Sequence, residues 1–217
     1  PHTESGWDMC PWAGECALTC LIGTGQMIFD TSRRSRILKT MLWRLFPAIF
    51  LAFLSWDIAS HQAKAHKLGK RCMVRLNGTS DVLWERTHIF QRFPEVQFYD
   101  YTKAPLSRRK LADNYHLTFS LGNFRGIHGA LRTMAEGHNV AVVIDGRANV
   151  ERILEASSWF GRPVIDGDES DIRPDDPQVG GWVLLYSKGT AQGDKSGFVM
   201  DTDTVNMGLH RAAGPLW

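Results

Sequence analysis

Five short apolar runs alternate with helical patterns along this chain of 217 residues, and that alternation limits the fold more than any other feature. The runs are rich in β-branched and aromatic residues, which favour strands. They cover residues 72–76, 96–99, 115–119, 140–144 and 182–186. The helical patterns between them are clearest over residues 107–114 and 125–137. The sequence therefore predicts an α/β fold with a parallel sheet of βα units, either open or curled into a partial (β/α) barrel.

A pair of helices is predicted ahead of the first strand. Three polar residues are candidate N-caps for a basic amphipathic helix that runs to about Phe46: Asp30, Thr31 and Ser32. Pro47 is expected in the first turn of the second helix, where its missing N–H leaves no hydrogen bond unmade. That helix is predicted to end near Gly69.

The composition changes along the chain and suggests three segments of a single domain. Residues 1–32 form a cysteine-rich segment, and residues 33–160 form the βα core. From about residue 161 the sequence is rich in Gly, Asp and Pro, which predicts loops around one late strand. We therefore treat residues 161–217 as a loop-rich extension of the core.

Three of the four cysteines lie within eleven residues, in the pattern C-x5-C-x3-C: Cys10, Cys16 and Cys20. Cys16 and Cys20 would share one face of a helix, and Cys10 can fold over from the preceding loop. Three converging thiolates are typical of a metal site or an iron-sulfur cluster, with zinc as the simplest ion. A disulfide, or cysteines buried as small core residues, would also explain the group.

The fourth cysteine, Cys72, opens the first predicted strand. Five residues of strand span about 16 Å, which separates Cys72 from the far end of that strand. We therefore predict that Cys72 is not a ligand of any site at that end.

Polar residues follow four of the predicted strands. The carboxyl ends of parallel strands meet at one edge of a sheet, where ligands bind. The candidate ligand-binding residues are Asn77, Gly78, Thr79, Ser80 and Asp81 after the first strand, Asp100 and Lys103 after the second, and Ser120 and Asn123 after the third; Asp145 and Arg147 follow the fourth. Ordinary turn chemistry favours the Asn-Gly and Asp-Gly pairs as well, so both explanations stay open.

Charge is unevenly distributed between the two halves of the chain. Residues 1–110 carry 16 Lys and Arg against 9 Asp and Glu, a net charge of +7, whereas residues 111–217 carry 9 against 14, a net charge of −5. The basic half suits weak contact with nucleic acid, although a solvated helix face explains Arg33, Arg34, Arg36, Lys39 and Arg44 equally well. The apolar run 45–54 is far shorter than the roughly 20 residues needed to span a bilayer, and no membrane association is expected.

Four stretches resemble one family of phage proteins. The string Cys10-Pro-Trp-Ala-Gly-Glu-Cys16-Ala-Leu-Thr-Cys20, with residues 74–81, 98–103 and 116–120, resembles the uncharacterised Gene product 88 family over about residues 8–145. The same stretches are more distantly similar to a radical SAM core, in which a C-x3-C-x2-C triad binds a [4Fe-4S] cluster. The free iron of that cluster chelates S-adenosylmethionine.

The resemblance implies a cofactor, a ligand and a location. It implies that Cys10, Cys16 and Cys20 hold a [4Fe-4S] cluster, and that Asn77-Gly78-Thr79 stand where S-adenosylmethionine is held by its amino group. It also implies a small-molecule ligand at the open iron of a radical SAM-like or redox enzyme, in the host bacterial cytoplasm. The alternative is a structural or nucleic-acid-associated phage protein in which a metal, such as zinc, staples the N-terminal loop.

Overall fold

The computed structural model describes residues 4–107 and 109–210. Its strands are β1 Met73–Val74, β2 Gln97–Thr102, β3 Tyr115–Ser120, β4 Val140–Ile144, β5 Ser158–Trp159, β6 Arg162–Asp166, β7 Trp182–Tyr186 and β8 Val199–Met200. Its α-helices are α1 Asp30–Leu45, α2 Pro47–Lys67, α3 Ile89–Arg92, α4 Ile127–Ala135, α5 Arg147–Glu155 and α6 Thr202–His210. The predicted α/β class is confirmed.

The eight strands form one sheet in the order β1-β2-β3-β4-β7-β6-β5, with β8 paired to β4. Every described pair is parallel except β5 with β6. β3 pairs with the start of β4, and β8 pairs with its end. Because the path has β1 at one end and β5 at the other, the sheet is open, and the carboxyl ends of its parallel strands lie at one edge.

The five predicted strands are all present. β4 and β7 have the predicted bounds, and β3 is one residue longer than predicted. β2 extends to Thr102, whereas β1 shrinks to two residues because it pairs only with the first residues of β2. The apolar patterns of β2, β3, β4 and β7 were sufficient because each of these strands has a neighbouring strand on both sides, whereas β1 lies at the edge of the sheet.

The prediction of loops around one late strand after residue 161 is wrong. Besides β7, this part of the chain contains β6, β8 and α6. β6 includes an arginine and a proline, and its local sequence gives little strand signal. It becomes a strand because β7 offers a parallel partner, with Val164 opposite Trp182. Long-range pairing therefore outweighs local preference. The division at residue 161 stays a prediction about domains.

The helix predicted over residues 107–114 is also wrong. Residues 107 and 109–114 form no helix in the structure. The Asn114 side-chain amide instead donates to the carbonyl oxygens of Phe90, Phe93 and Val96, at 2.9–3.2 Å. These bonds hold the segment as a non-helical connection between β2 and β3.

The helical pair is present, and its start differs from the prediction. α1 begins at Asp30 with Phe29 as N-cap, and no side chain caps it. Asp30 instead forms an exposed ion pair with Arg34. Pro47 occupies the first turn of α2 as predicted, and α2 ends just before Gly69, whose φ of +62° suits a helix terminus.

Two hydrophobic clusters pack against the sheet. One contains α4, α5, α6, β4 and β7 and centres on Trp159 and Trp182. The other contains parts of α2, α3, β2 and β3 and centres on Phe90 and Phe98. Phe119 of β3 packs against both clusters, so the core is continuous across the sheet. Within the described residues, no helix has both the length and the apolar character needed to cross a bilayer.

Candidate functional site

The cysteine segment is built from tight turns rather than from the predicted helix. Cys16 lies in the 3-10 turn Gly14–Ala17, and Cys20 immediately precedes a second turn, Leu21–Gly23. Gly14 has a φ of +51° and Cys20 has a ψ of 138°, and neither value continues a helix. The shared helical face predicted for Cys16 and Cys20 is therefore wrong.

The three thiols nevertheless lie close enough to influence one another. Burial, together with the smaller effect of the negative charges of Asp81, Cys20, Asp8 and Cys16, raises the pKa of Cys10 to about 12. All three cysteines are half-buried. Since the charged form is disfavoured, Cys10 keeps its proton at neutral pH unless a cation replaces it.

The loop after β1 anchors the cysteine segment at the carboxyl edge of the sheet. The Asp81 N–H donates to the carbonyl oxygen of Met9 at 2.7 Å, and the Cys10 thiol donates to the carbonyl oxygen of Thr79 at 3.6 Å. The Cys10 N–H is bound in turn by the Asp8 carboxylate, at 2.8 Å. The first cysteine is thus held directly against the predicted ligand-binding loop.

Lys103, just after β2, places a positive charge beside the second cysteine. Burial raises the pKa of Cys16, while the charge and a hydrogen bond of Lys103 lower it in part. The Lys103 Nζ donates to Oγ of Ser120 at 2.7 Å and lies 5.2 Å from the centre of the Phe198 ring. A cation in this position stabilises the thiolate form of Cys16.

Two further contacts extend the cysteine segment across the edge. The pKa of Glu15 is lowered by its own backbone N–H and by a hydrogen bond from Asn123, which follows β3. Cys16 packs against a small cluster of Ala191, Phe198 and Val199. The segment therefore touches residues that follow β1, β2 and β3, together with the late residues around β8.

Most of the predicted ligand-binding residues do lie at this edge, but several are occupied by internal hydrogen bonds. The Asn77 Oδ1 accepts from the Ser80 hydroxyl, the Val82 N–H and the Trp84 indole, at 2.9–3.0 Å. The Asp81 carboxylate accepts from the Thr102 hydroxyl and the Lys103 N–H, at 2.7 and 2.8 Å. Their side chains therefore shape the edge of the sheet rather than offering free polar groups to a ligand.

Asp100 is not a strand tip, which corrects the sequence prediction. It lies inside β2 and is fully buried. The Asn77 N–H and the Tyr115 hydroxyl donate to its two oxygens, at 2.6 and 3.0 Å. Burial raises its pKa to about 7, although those two bonds and the charge of Arg75 work in the opposite direction.

Cys72 is part of the hydrophobic core, and the residues that follow β4 are held by ion pairs and hydrogen bonds. Cys72 is buried in the second hydrophobic cluster, and burial alone raises the pKa of its thiol. Arg147 forms ion pairs with Asp166 and Glu151. Asp145 accepts a hydrogen bond from the Ser187 hydroxyl at 3.3 Å.

Convergent metal ligands are not found in the part of the chain that the structure describes. Within residues 4–107 and 109–210, no three His, Cys, Asp or Glu side chains are arranged around a point where one metal ion would sit. A closed zinc site needs four such convergent ligands.

A ligand-sized cleft adjoins the site, and its wall of α1 residues was not predicted from the sequence. It has a volume of about 650 Å³ and lies between α1 and the loop after β1. Met9, Gly78, Thr79 and Ser80 line one part of it, directly beside Cys10. Its other walls bring together residues far apart in the sequence, so no local motif could have indicated it.

The fold and the site define a class: an α/β protein with a cysteine-bearing segment bound to the carboxyl edge of an open, mostly parallel sheet. The sequence profile of the Gene product 88 family matches residues 1–202, and the chain belongs to that family of phage proteins. The match is longer than the resemblance carried by residues 8–145. No curated protein and no solved structure matches the chain.

Proposed function

We propose that this protein holds a [4Fe-4S] cluster through Cys10, Cys16 and Cys20, with the fourth iron open to a small-molecule ligand. The observation that carries the proposal is that three half-buried thiols lie near one another at the carboxyl edge of the sheet, with Asp81 near Cys10 and Lys103 near Cys16. Three thiols with no fourth cysteine nearby would leave one iron without a protein thiolate.

The chain's own residues would supply the rest of the site. Lys103 would offset part of the negative charge of a thiolate-ligated cluster, since it already acts on Cys16. Gly78 and Thr79 line the adjoining cleft and would meet a ligand there. Under the radical SAM-like form of the proposal, that ligand is S-adenosylmethionine, held by its amino group at Asn77-Gly78-Thr79.

An anaerobic preparation tests the cluster. We expect brown protein with close to four irons and four sulfides per chain. Changing Cys10, Cys16 or Cys20 to Ser should each remove the colour and most of the iron, because the thiolates are the ligands. Cys72→Ser is the matched control, and it should keep the iron while losing some stability.

Other outcomes would replace the proposal. Colourless protein with one zinc per chain would favour the alternative, a metal-stapled structural protein. Loss of iron in Cys72→Ser would mean a closed four-cysteine site. Cluster-bearing protein that binds no S-adenosylmethionine in equilibrium dialysis would remove the radical SAM-like form and leave a redox role.

Under this proposal the protein acts in the host bacterial cytoplasm and binds nucleic acid only weakly. Of the basic residues of α1, Arg33 pairs with Glu4 and Arg34 pairs with Asp30. These ion pairs weaken the positive field that a phosphate backbone would meet. We expect only weak binding that falls steeply with salt, and nanomolar binding at physiological salt would favour the nucleic-acid-associated alternative.

A further inference from the structure

The cleft beside the cysteine segment has the size of a small-molecule site. Its volume of about 650 Å³ lies within the range typical of ligand pockets, about 300–1,000 Å³. α1 contributes one wall, through residues that include Ser32, Ser35, Arg36 and Lys39. The opposite wall includes Arg75 and the loop after β1.

The cleft carries an excess of positive charge. Arg36 and Lys39 line it, and neither forms an ion pair with a carboxylate of the described residues. Arg75 also lines the cleft, but its guanidinium lies over the Tyr101 ring, 4.8 Å from the ring centre. Glu4 is the one carboxylate among the described lining residues, and it is already paired with Arg33 at 2.9 Å. The walls therefore favour an anion over a cation.

Arg36 is held in place at the cleft. Its Nη1 donates to the carbonyl oxygen of Met27 at 2.9 Å, which fixes the guanidinium against the N-terminal segment. Its Nε is buried away from the cleft and has no hydrogen-bond partner among the described residues. Arg36 therefore offers an anion in the cleft a fixed positive charge rather than this N–H.

The remaining lining divides into hydroxyl and aromatic groups. Thr31, Ser32 and Ser35 belong to the first turns of α1, where the helix dipole also favours an anion. Trp43 and Phe50 form an apolar wall, with their ring centres 5.5 Å apart. Hydroxyls and cations at one part and aromatic rings at another suit a molecule with a phosphate and an apolar portion.

We propose that this cleft binds an organic phosphate. Its phosphate oxygens would be held by Arg36 and Lys39, and its apolar portion would rest on Trp43 and Phe50. The inference rests on the proposed function only for the role of the ligand, which would be a substrate lying beside the open iron. The binding itself depends on residues outside the cysteine trio.

Calorimetric titration of the anaerobically purified protein with ADP tests the binding. Adenosine lacks the phosphates and should bind at least about tenfold more weakly than ADP. Inorganic pyrophosphate lacks the apolar portion and should also bind more weakly. Equal binding of pyrophosphate and ADP would contradict the organic part of the proposal, and no binding of any phosphate compound would overturn it.

Substitutions locate the site. Arg36→Gln should weaken ADP binding by about tenfold to a hundredfold, because a charged hydrogen-bond donor is lost. Lys39→Gln removes an exposed charge, and it should also weaken ADP binding. Arg34→Gln is the matched control on α1, since Arg34 pairs with Asp30 and does not line the cleft. Unchanged affinity in both Arg36→Gln and Lys39→Gln would refute this placement.

The two proposals fail in different ways. Iron content and colour are measured on the same preparation as the titration. Protein that contains iron but binds no phosphate contradicts the cleft assignment alone. Protein that binds ADP through Arg36 but contains no iron contradicts the cluster alone.

Discussion

At the scale of single residues, the site depends on polar groups that the fold has removed from water. The Asn77 side chain accepts hydrogen bonds from residues that follow β1, and its backbone N–H donates to Asp100. Asp81 binds Thr102 and the backbone of Lys103. These residues position the edge of the sheet, so substitutions in them are expected to act on structure before they act on ligand binding.

Asp100 should make stability depend on pH. Its pKa rises from an ordinary value of 3.8 to about 7 on folding, because the carboxyl group is buried. The folded state then holds a proton that the unfolded state releases, so the contribution to stability is complete below about pH 4 and is lost as the pH rises to about 7. Above that pH the group contributes no further change.

Asp100→Asn tests this dependence. In urea unfolding, the free energy of unfolding of the parent protein should fall by on the order of a few kcal/mol across that pH interval. The variant should not show this fall. Asp113→Asn, at an exposed position, should keep the decline of the parent protein. Identical pH profiles for the parent and Asp100→Asn would show that Asp100 is not the group responsible.

At the scale of elements, a buried ion pair fixes the connection between β2 and β3. Arg109 contacts both carboxylate oxygens of Glu85, at 2.6 and 2.8 Å, and its side chain is only 8 % exposed. Another of its nitrogens donates to the Thr102 hydroxyl at 3.2 Å, and this hydroxyl donates in turn to Asp81. The pair therefore supports the same edge that holds the cysteine segment.

Arg109→Met should destabilise the protein strongly. It leaves the Glu85 charge buried without a partner, which typically costs about 3–5 kcal/mol. The double variant Glu85→Met with Arg109→Met should recover much of that loss, because no charge stays buried. Arg147→Met removes a more exposed pair and should cost at most about 1 kcal/mol. Chemical denaturation measures all three, and a double variant no more stable than Arg109→Met would contradict the argument.

At the scale of the whole molecule, the N-terminal segment is held by parts of the chain that are distant in sequence. A methyl group on Gly189, which follows β7, would overlap the Thr24 side chain, and one on Gly23 would press against Thr190. Cys16 packs against residues around β8. The cysteine segment is therefore in place only when the late strands have joined the sheet.

Gly189→Ala should loosen the cysteine segment. Gly189 has a φ of +55°, and an added Cβ there meets Thr24, so backbone strain and a steric clash act together. Gly193→Ala is the matched control, because its φ is +75° and nothing lies within 4 Å of the added Cβ. Both variants should lose on the order of 1 kcal/mol to backbone strain, and only Gly189→Ala should speed proteolysis within residues 8–28. Equal cleavage rates would show that this contact does not hold the segment.

The amino-acid sequence by itself determined the elements whose signal is local. The apolar runs of β4 and β7 and the position of Pro47 at the start of α2 were predictable because burial and backbone geometry act within a few residues. The sequence also brought Cys10, Cys16 and Cys20 within reach of one another. It placed Lys103 and Asn123 after strands of a parallel sheet, which is enough to place them at one edge.

Only the tertiary structure decided the rest, because it depends on partners distant in the chain. β6 and β8 are strands because β7 and β4 pair with them, and residues 109–114 avoid a helix because Asn114 and Arg109 bind other segments. Asp100 is buried because β2 continues past it. The cleft combines α1 with the loop after β1, more than thirty residues away. Local preference is worth less than these long-range hydrogen bonds and buried contacts, which exist only once the sheet is assembled.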